Sequence, residues 1–164
     1  MGREKVLSNC IQPILKKYDY VIIDCPPSLG MLTINALAAA NEVLIPVQAQ
    51  YLPAKGMTKL ITTVNKVKSQ INPKLKITGI IITLANMQTN LAKSTVETIK
   101  FNFGKHIHVF HSTIPIATKI GETTISGQSI FKYAKNSSVA DAYREVTREF
   151  LKTQKVKKKE DRSR

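Results

Sequence analysis

Apolar residues recur at helical spacing from residue 3 to 17, where Val6, Leu7, Cys10, Ile11, Ile14 and Leu15 share a stripe that Pro13 should interrupt. The pattern then changes. Asp19-Tyr-Val-Ile-Ile-Asp24 is a continuous β-branched run and predicts a short buried strand. Cys25-Pro-Pro-Ser-Leu-Gly30 predicts a loop, because two prolines end any ladder. The Ala- and Leu-rich stretch from Met31 to Ala40 predicts a helix, and Glu42 to Val47 a second buried strand. A loop from Pro53 to Gly56 leads into a helix over 57–71, with Leu60, Ile61, Val64 and Val67 on one face and Asn72-Pro73 as its stop.

Leu75 to Leu84 predicts a third strand centred on Gly79-Ile-Ile-Ile-Thr83. Thr89 or Asn90 can cap a helix that runs to Phe103. Ile107 to Ile114 alternates loosely and predicts a fourth strand. A long loop over 115–127, with at most a turn of helix, precedes a last helix from Val139 to Thr153, capped by Ser137 or Ser138. Strands alternating with helices predict an α/β fold of three layers with a mostly parallel sheet, one domain over residues 1–152.

Charge adds a second level. Lys and Arg number 25 against 11 Asp and Glu, a net +14 among 164 residues. Such a field favours polyanions. Five of those charges belong to Lys152–Arg164, where seven basic residues face two acids, so 153–164 is expected to be a basic disordered tail. Cys10 and Cys25 make no disulfide framework, and no apolar run approaches the ~18 residues of a membrane span. MGREKVLSNC lacks the apolar core of a secretion signal, which predicts a cytoplasmic protein with no membrane partner.

Ligands of parallel α/β sheets bind beyond the carboxyl ends of the strands. Asp24 stands at such an end. A carboxylate there either organises Mg²⁺ or caps a turn, and the strand pattern alone fits both. His106 and His108 share a strand face by period 2 while His111 falls on the other, a poor metal set. Ser28 has no G-x-S-x-G turn, and Met31, Met57 and Met87 read as filler of the core or its rim.

The wider phrase is more specific. Tyr18-Asp-Tyr-Val-Ile-Ile-Asp-Cys-Pro-Pro-Ser28, then Thr33-Ile-Asn-Ala-Leu37 and Val43-Leu-Ile-Pro-Val-Gln48, resembles the ParA/Soj branch of the ParA/MinD ATPases, partition ATPases with a deviant P-loop. The similarity continues through Thr89-Asn-Leu91, Thr113-Ile-Pro115, Gly121-Glu122 and Ala140-Asp-Ala-Tyr143, covering about residues 5–152. The resemblance implies a P-loop NTPase sheet, with Asp24 as the catalytic carboxylate of the switch region that acts on Mg²⁺ indirectly. It implies a switch over 26–30, with Pro26 and Pro27 beside the nucleotide, and Asn86 and Pro115 on the nucleotide side. Lys119 matches a DNA-binding arginine, and Lys100 and Lys105 join it as candidate DNA-phosphate contacts. The implied cofactors are ATP and Mg. The implied partners are nonspecific DNA, a centromere-binding ParB-like protein and a second copy in a homodimer, in a bacterial, nucleoid-associated setting.

Departures are equally legible. The family often has acidic and Arg residues where Asn86 and Gln88 stand, Arg at the position of Ile116 and Glu at that of Gln50. No G-x-x-x-x-G-K-[ST] occurs; Gly104-Lys105 is followed by His106 and lacks the upstream glycine. The expectation is therefore the C-terminal portion of a ParA-like ATPase with the P-loop strand missing: a piece cut from a longer protein, the product of a truncated gene, or one half of a split protein whose other segment carries the phosphate loop. Alone it should hold no nucleotide and hydrolyse none. The alternatives are a nucleic-acid-binding or interaction module without ATPase activity, or a non-functional remnant.

Overall fold

The computed structural model describes residues 2–49 and 53–162. The described elements divide into two compact units: one of residues up to Val43 with 54–77, the other of 44–53 with 78 onward.

In the first unit, a 3₁₀ turn over Arg3–Lys5, helix α1 (Val6–Ile11) and a second 3₁₀ stretch (Gln12–Lys17) replace one continuous helix. The break falls where Pro13 removes an N–H, as expected. Helices α2 (Met31–Ala39) and α3 (Pro53–Gln70) follow. The stretch 53–56, expected as a loop, is the first turn of α3, where a proline's missing N–H costs no helical bond. Leu37, Val64, Val67 and Leu75 form the core here, flanked by Ile34, Leu60 and Ile71. Each such side chain contributes about 1.5–3 kcal/mol by leaving water. Asn72, the expected stop of α3, does more: its Nδ2 donates to the carbonyls of Leu37, Ala38 and Ala40, satisfying the end of α2.

Strands β1 (Glu42–Gln48) and β2 (Lys76–Thr83) pair in parallel. Their starts are tied by Lys76 N–H to Asn41 O, 3.1 Å, and their ends by Ala49 N–H to Thr83 O, 2.9 Å. β2 is buried without interruption from Thr78 to Ile82, as a strand covered on both faces should be. β1 was expected to be equally buried and is not. Leu44, Pro46 and Gln48 are exposed and alternate with buried Ile45 and Val47. Proline lacks the N–H that an inner strand must donate, so Pro46 suits a strand with one open edge.

The expected strand over Tyr20–Asp24 does not form; residues 20–26 belong to no helix or strand, with Ile22 92% exposed. β-branched composition makes a strand only where a neighbour takes up its amides, and the assigned sheet holds β1 and β2 alone among the described residues.

The second unit builds on the later part of β2. Helix α4 (Asn90–Phe103) starts as expected, the Thr89 hydroxyl accepting from Ala92 N–H at 3.2 Å. The expected fourth strand is reduced to two isolated parallel bridges, Ile80 with Val109 and Ala85 with Pro115. The expected loop over 115–127 contains a nine-residue helix, α5 (Thr118–Ser126), closed by Gly127 at φ +62°. After the single turn α6 (Ile130–Tyr133), helix α7 begins with Ser137 Oγ accepting from Ala140 N–H and runs as Ser138–Arg162. That assignment takes in the basic stretch expected as a tail, which is rich in the good helix formers Lys, Gln and Arg. Ile81, Phe110, Ile114, Val139 and Val146 are the core of this unit, with Ile120, Ile130 and Phe150 packed on it.

Candidate functional site

In the first unit, Asp24, Pro26 and Pro27 lie on the exposed irregular segment that leads into α2. Burial raises the Cys25 thiol above its ordinary range, and the charge of Asp24 adds to the shift. The far end of this segment is fastened. Buried Thr33 donates its hydroxyl to Ser28 O, and Ile34 N–H bonds to Gly30 O at 3.1 Å. Buried Asn35 donates to Arg3 O (2.8 Å) and Met31 O (3.1 Å) and accepts from Leu7 N–H (3.2 Å). The loop carrying Pro26 and Pro27 is thus anchored at Ser28–Gly30, while Asp24 stays open to solvent. Sequence reasoning passed over Thr33 and Asn35 as parts of a matching phrase. Two polar residues within the Ala- and Leu-rich helix were the available signal.

In the second unit the structure brings Asn86 and Pro115 together. Residues 80 and 82 of β2 bond toward 108–114: Ile80 N–H to His108 O, Phe110 N–H to Ile80 O, and Ile114 N–H to Ile82 O. At Leu84 the backbone turns left-handed, φ +47°, a conformation costly for leucine. The alternation then breaks and Ala85, not residue 84, bonds to Ile114 O at 3.0 Å. The result sets Pro115 against Ala85, one residue from Asn86. Asn86 is exposed and closes its own turn, its Oδ1 accepting from Gln88 N–H and its carbonyl from Thr89 N–H. Glycine at 79 permits the approach of the partner segment: a Cβ there would stand 2.7 Å from His108 O and from the Phe110 ring.

Between Phe110 and Ile114 the partner segment advances four residues while β2 advances two, from Ile80 to Ile82. The extra residues bulge out, and Glu149 of α7 takes up their amides. Its carboxylate accepts from His111 N–H at 2.9 Å and Ser112 N–H at 3.1 Å, and meets His108 Nε2 at 3.1 Å and His111 Nδ1 at 3.2 Å. Partial burial alone would raise this carboxyl, but the N–H bonds outweigh it and hold it down at about 2. The bulge corrects the period-2 reading: His108 and His111, expected on opposite faces, meet at one carboxylate. Among the described residues no group of three His, Cys, Asp or Glu is placed to hold a metal ion.

The candidate DNA contacts separate into two places. Lys100 and Lys105 line one open depression of about 470 Å³ with Phe101, Gly104, His108, Val109 and His111. Lys119 is exposed on α5 and is not among those lining residues. No helix among the described residues is long and apolar enough to cross a membrane.

A family model described as an AAA domain matches residues 1–77. The chromosome partitioning protein ParA of Myxococcus xanthus is 40% identical over 151 residues, 92% of this chain and 53% of that protein. The chromosome-partitioning ATPase Soj of Treponema pallidum is 40% identical over 149 residues, 91% of this chain and 58% of that one. The chain belongs to the ParA/Soj-like family. This ParA-like chain spans about half the length of the curated relatives it matches. Its fold is the α/β, parallel-sheet fold of the ParA/MinD-type P-loop NTPases. Cobyrinic acid a,c-diamide synthase from Mycobacterium smegmatis, solved with a bound ATP analog and magnesium, matches with a TM-score of 0.74 and 32% identity, over 88% of this chain and 52% of that one.

Proposed function

We propose that the chain forms part of an ATPase that partitions plasmids or chromosomes. In this reading Asp24 would help to hold Mg²⁺ indirectly and to orient the attacking water. Pro26 and Pro27 lie on the switch that answers the terminal phosphate, and Asn86 and Pro115 border the base. The cellular place is the cytoplasm, with nonspecific DNA, a ParB-like protein and a second copy of the complete protein as partners. The observation that carries it is the likeness to ParA and Soj proteins, 40% identical over nine-tenths of the chain.

Asp24, in the first unit, offers an exposed carboxylate, and in the second unit Ala85 pairs with Pro115 beside Asn86. The 164 residues contain no glycine-rich loop whose N–H groups could cradle phosphate and no lysine following one. Hydrolysis therefore needs a phosphate loop from outside these residues. The test is phosphate release by this chain alone and mixed with the phosphate-loop half of a ParA relative. Turnover is expected only in the mixture, and Asp24→Ala should remove it. A mixture that stays inactive, or turnover that ignores Asp24→Ala, overturns the reading.

A further inference from the structure

We propose that Thr33 and Asn35 are positioning residues that clasp residues 28–30, the far end of the candidate switch, to the N-terminal turn over residues 3–7, so that the two segments hold or open together. The inference rests on the functional reading above and names what sets the switch in place. Residues two apart on a helix face different ways, so Thr33 and Asn35 grip different segments. The Thr33 hydroxyl donates to Ser28 O, ahead of the helix's N-cap residue Gly30. Asn35 Nδ2 donates to Arg3 O at 2.8 Å and to Met31 O at 3.1 Å, and its Oδ1 accepts from Leu7 N–H at 3.2 Å. Helix α1 has no side-chain cap at its own N-terminus. Leu7 N–H is one of its first-turn amides, and Asn35 supplies the missing acceptor from another helix.

Met31 O joins the two grips. It belongs to the same first turn of α2 that Thr33 and the bond from Ile34 N–H to Gly30 O close. Thr33 and Asn35 are buried, at 5% and 9% exposure, yet the turn they hold has little else to fix it. Gly30 brings no side-chain cap, and Met31 and Leu32 are 47% and 72% exposed. When one grip opens, the turn shifts and the other grip loses its geometry. Coupling of this kind is reciprocal. Residues 3–7 are thus a handle on the switch: a contact that draws Arg3 and Leu7 from Asn35 loosens residues 28–30, and displacement of Ser28 loosens Leu7.

The experiment is amide hydrogen exchange, read residue by residue by NMR on the full chain. The unaltered protein is compared with Thr33→Val, Thr33→Ser and Asn35→Asp. Thr33→Val keeps the shape and removes the donor to Ser28. Asn35→Asp keeps an acceptor for Leu7 and removes the donors to Arg3 and Met31. Thr33→Val should speed exchange at Leu7, to which Thr33 has no bond, and Asn35→Asp should speed exchange at Ile34, each by about threefold or more. Thr33→Ser keeps the hydroxyl and should leave Leu7 as in the unaltered chain. The Ile71 amide, bonded to Val67 O at the end of α3, should stay unchanged in all three. A Leu7 amide indifferent to Thr33→Val, or an Ile34 amide indifferent to Asn35→Asp, would mean two independent anchors and overturn the clasp. Exchange at Ile71 that rises in step with the others would overturn it too, because the whole unit would then be loosening. Exchange needs no nucleotide, so its failure sinks the clasp alone, whereas a phosphate-release mixture without turnover sinks the functional reading alone.

Discussion

Glu149 accepts the main-chain N–H of His111 at 2.9 Å and so completes, from a helix, a hydrogen-bond ladder that the bulge interrupts. The neighbouring amide of Ser112 is held by the other carboxylate oxygen. Without this carboxylate, two amides beside the core of Phe110 and Ile114 would need new partners. Glu149→Gln keeps the shape but removes the charge and leaves one accepting oxygen. It should cost about 1.5–3 kcal/mol, the range for a hydrogen bond to a charged group. Chemical denaturation of the two proteins checks this, and faster exchange of the His111 and Ser112 amides in the variant would place the loss at the bulge.

The same carboxylate makes stability depend on pH. Its folded value of about 2 lies below the ordinary 4.5. A depressed carboxyl contributes stability that is complete above its unfolded value and is lost as pH falls through its folded value. The contribution of Glu149 should thus be whole above about pH 4.5 and fade between there and about pH 2. Urea midpoints from pH 6 down to 2 should fall more steeply for the unaltered chain than for Glu149→Gln. Parallel curves would show that Glu149 titrates alike in both states.

Gly79→Ala should be far more damaging than its size suggests. The added methyl meets His108 O and the Phe110 ring at 2.7 Å, and one of these is backbone that cannot rotate away. Overpacking of this kind costs about 1–3 kcal/mol. The bridge between Ile80 and Val109 would open with it, so the Phe110 amide should lose exchange protection while the α2–α3 core of the first unit keeps its own. Unchanged protection at Phe110 would mean that the partner segment can retreat at little cost.

How far the sequence foretold this molecule depends on whether each feature is local. Helices α2, α3 and α4 were legible because capping and periodicity act within one turn; Thr89 caps α4 as its residue type demands. The buried strand β2 was legible from its uninterrupted apolar run. What failed were features that depend on a partner. Tyr20 to Asp24 has strand composition without a ladder, and residues 107–114 have strand pattern with a two-residue surplus. The surplus put His111 beside His108, which no alternation could foretell. Within the site, Asp24, Pro26 and Pro27 were singled out by a phrase, and the neighbourhood of Asn86 and Pro115 followed from pairing at Ala85. Glu149 was missed because an acidic residue 38 positions along the chain from His111 carries no local mark.

Hydrolysis of ATP by this chain alone should stay at background. Losing a single preorganised donor typically costs about 10²–10³ in rate, and a missing phosphate loop removes several donors and a cation together. Steady-state phosphate release from the purified chain, with Asp24→Ala beside it, measures this. Any release should be the same in both. Turnover above background that Asp24→Ala abolishes would show that the 164 residues already assemble a working phosphate site.

The first unit should also make this chain associate with itself or with another strand-bearing segment. Tyr18, Tyr20 and Ile22 are 63%, 53% and 92% exposed on a stretch with no helix or strand, and Leu32 follows at 72% on α2. Apolar side chains gathered on one exposed stretch offer a face that a second apolar segment can cover. Opposing this is a net charge of +14, which keeps copies apart at low salt. The balance should therefore shift with ionic strength: sedimentation should show mass rising with protein concentration, and more steeply as salt screens the repulsion. Ile22→Lys should return the chain toward monomer with little effect on its melting, because a side chain this exposed contributes almost nothing to the folded core. A chain that stays monomeric at every concentration and salt would show that this face is closed by a route other than association, and Ile22→Lys would then change nothing.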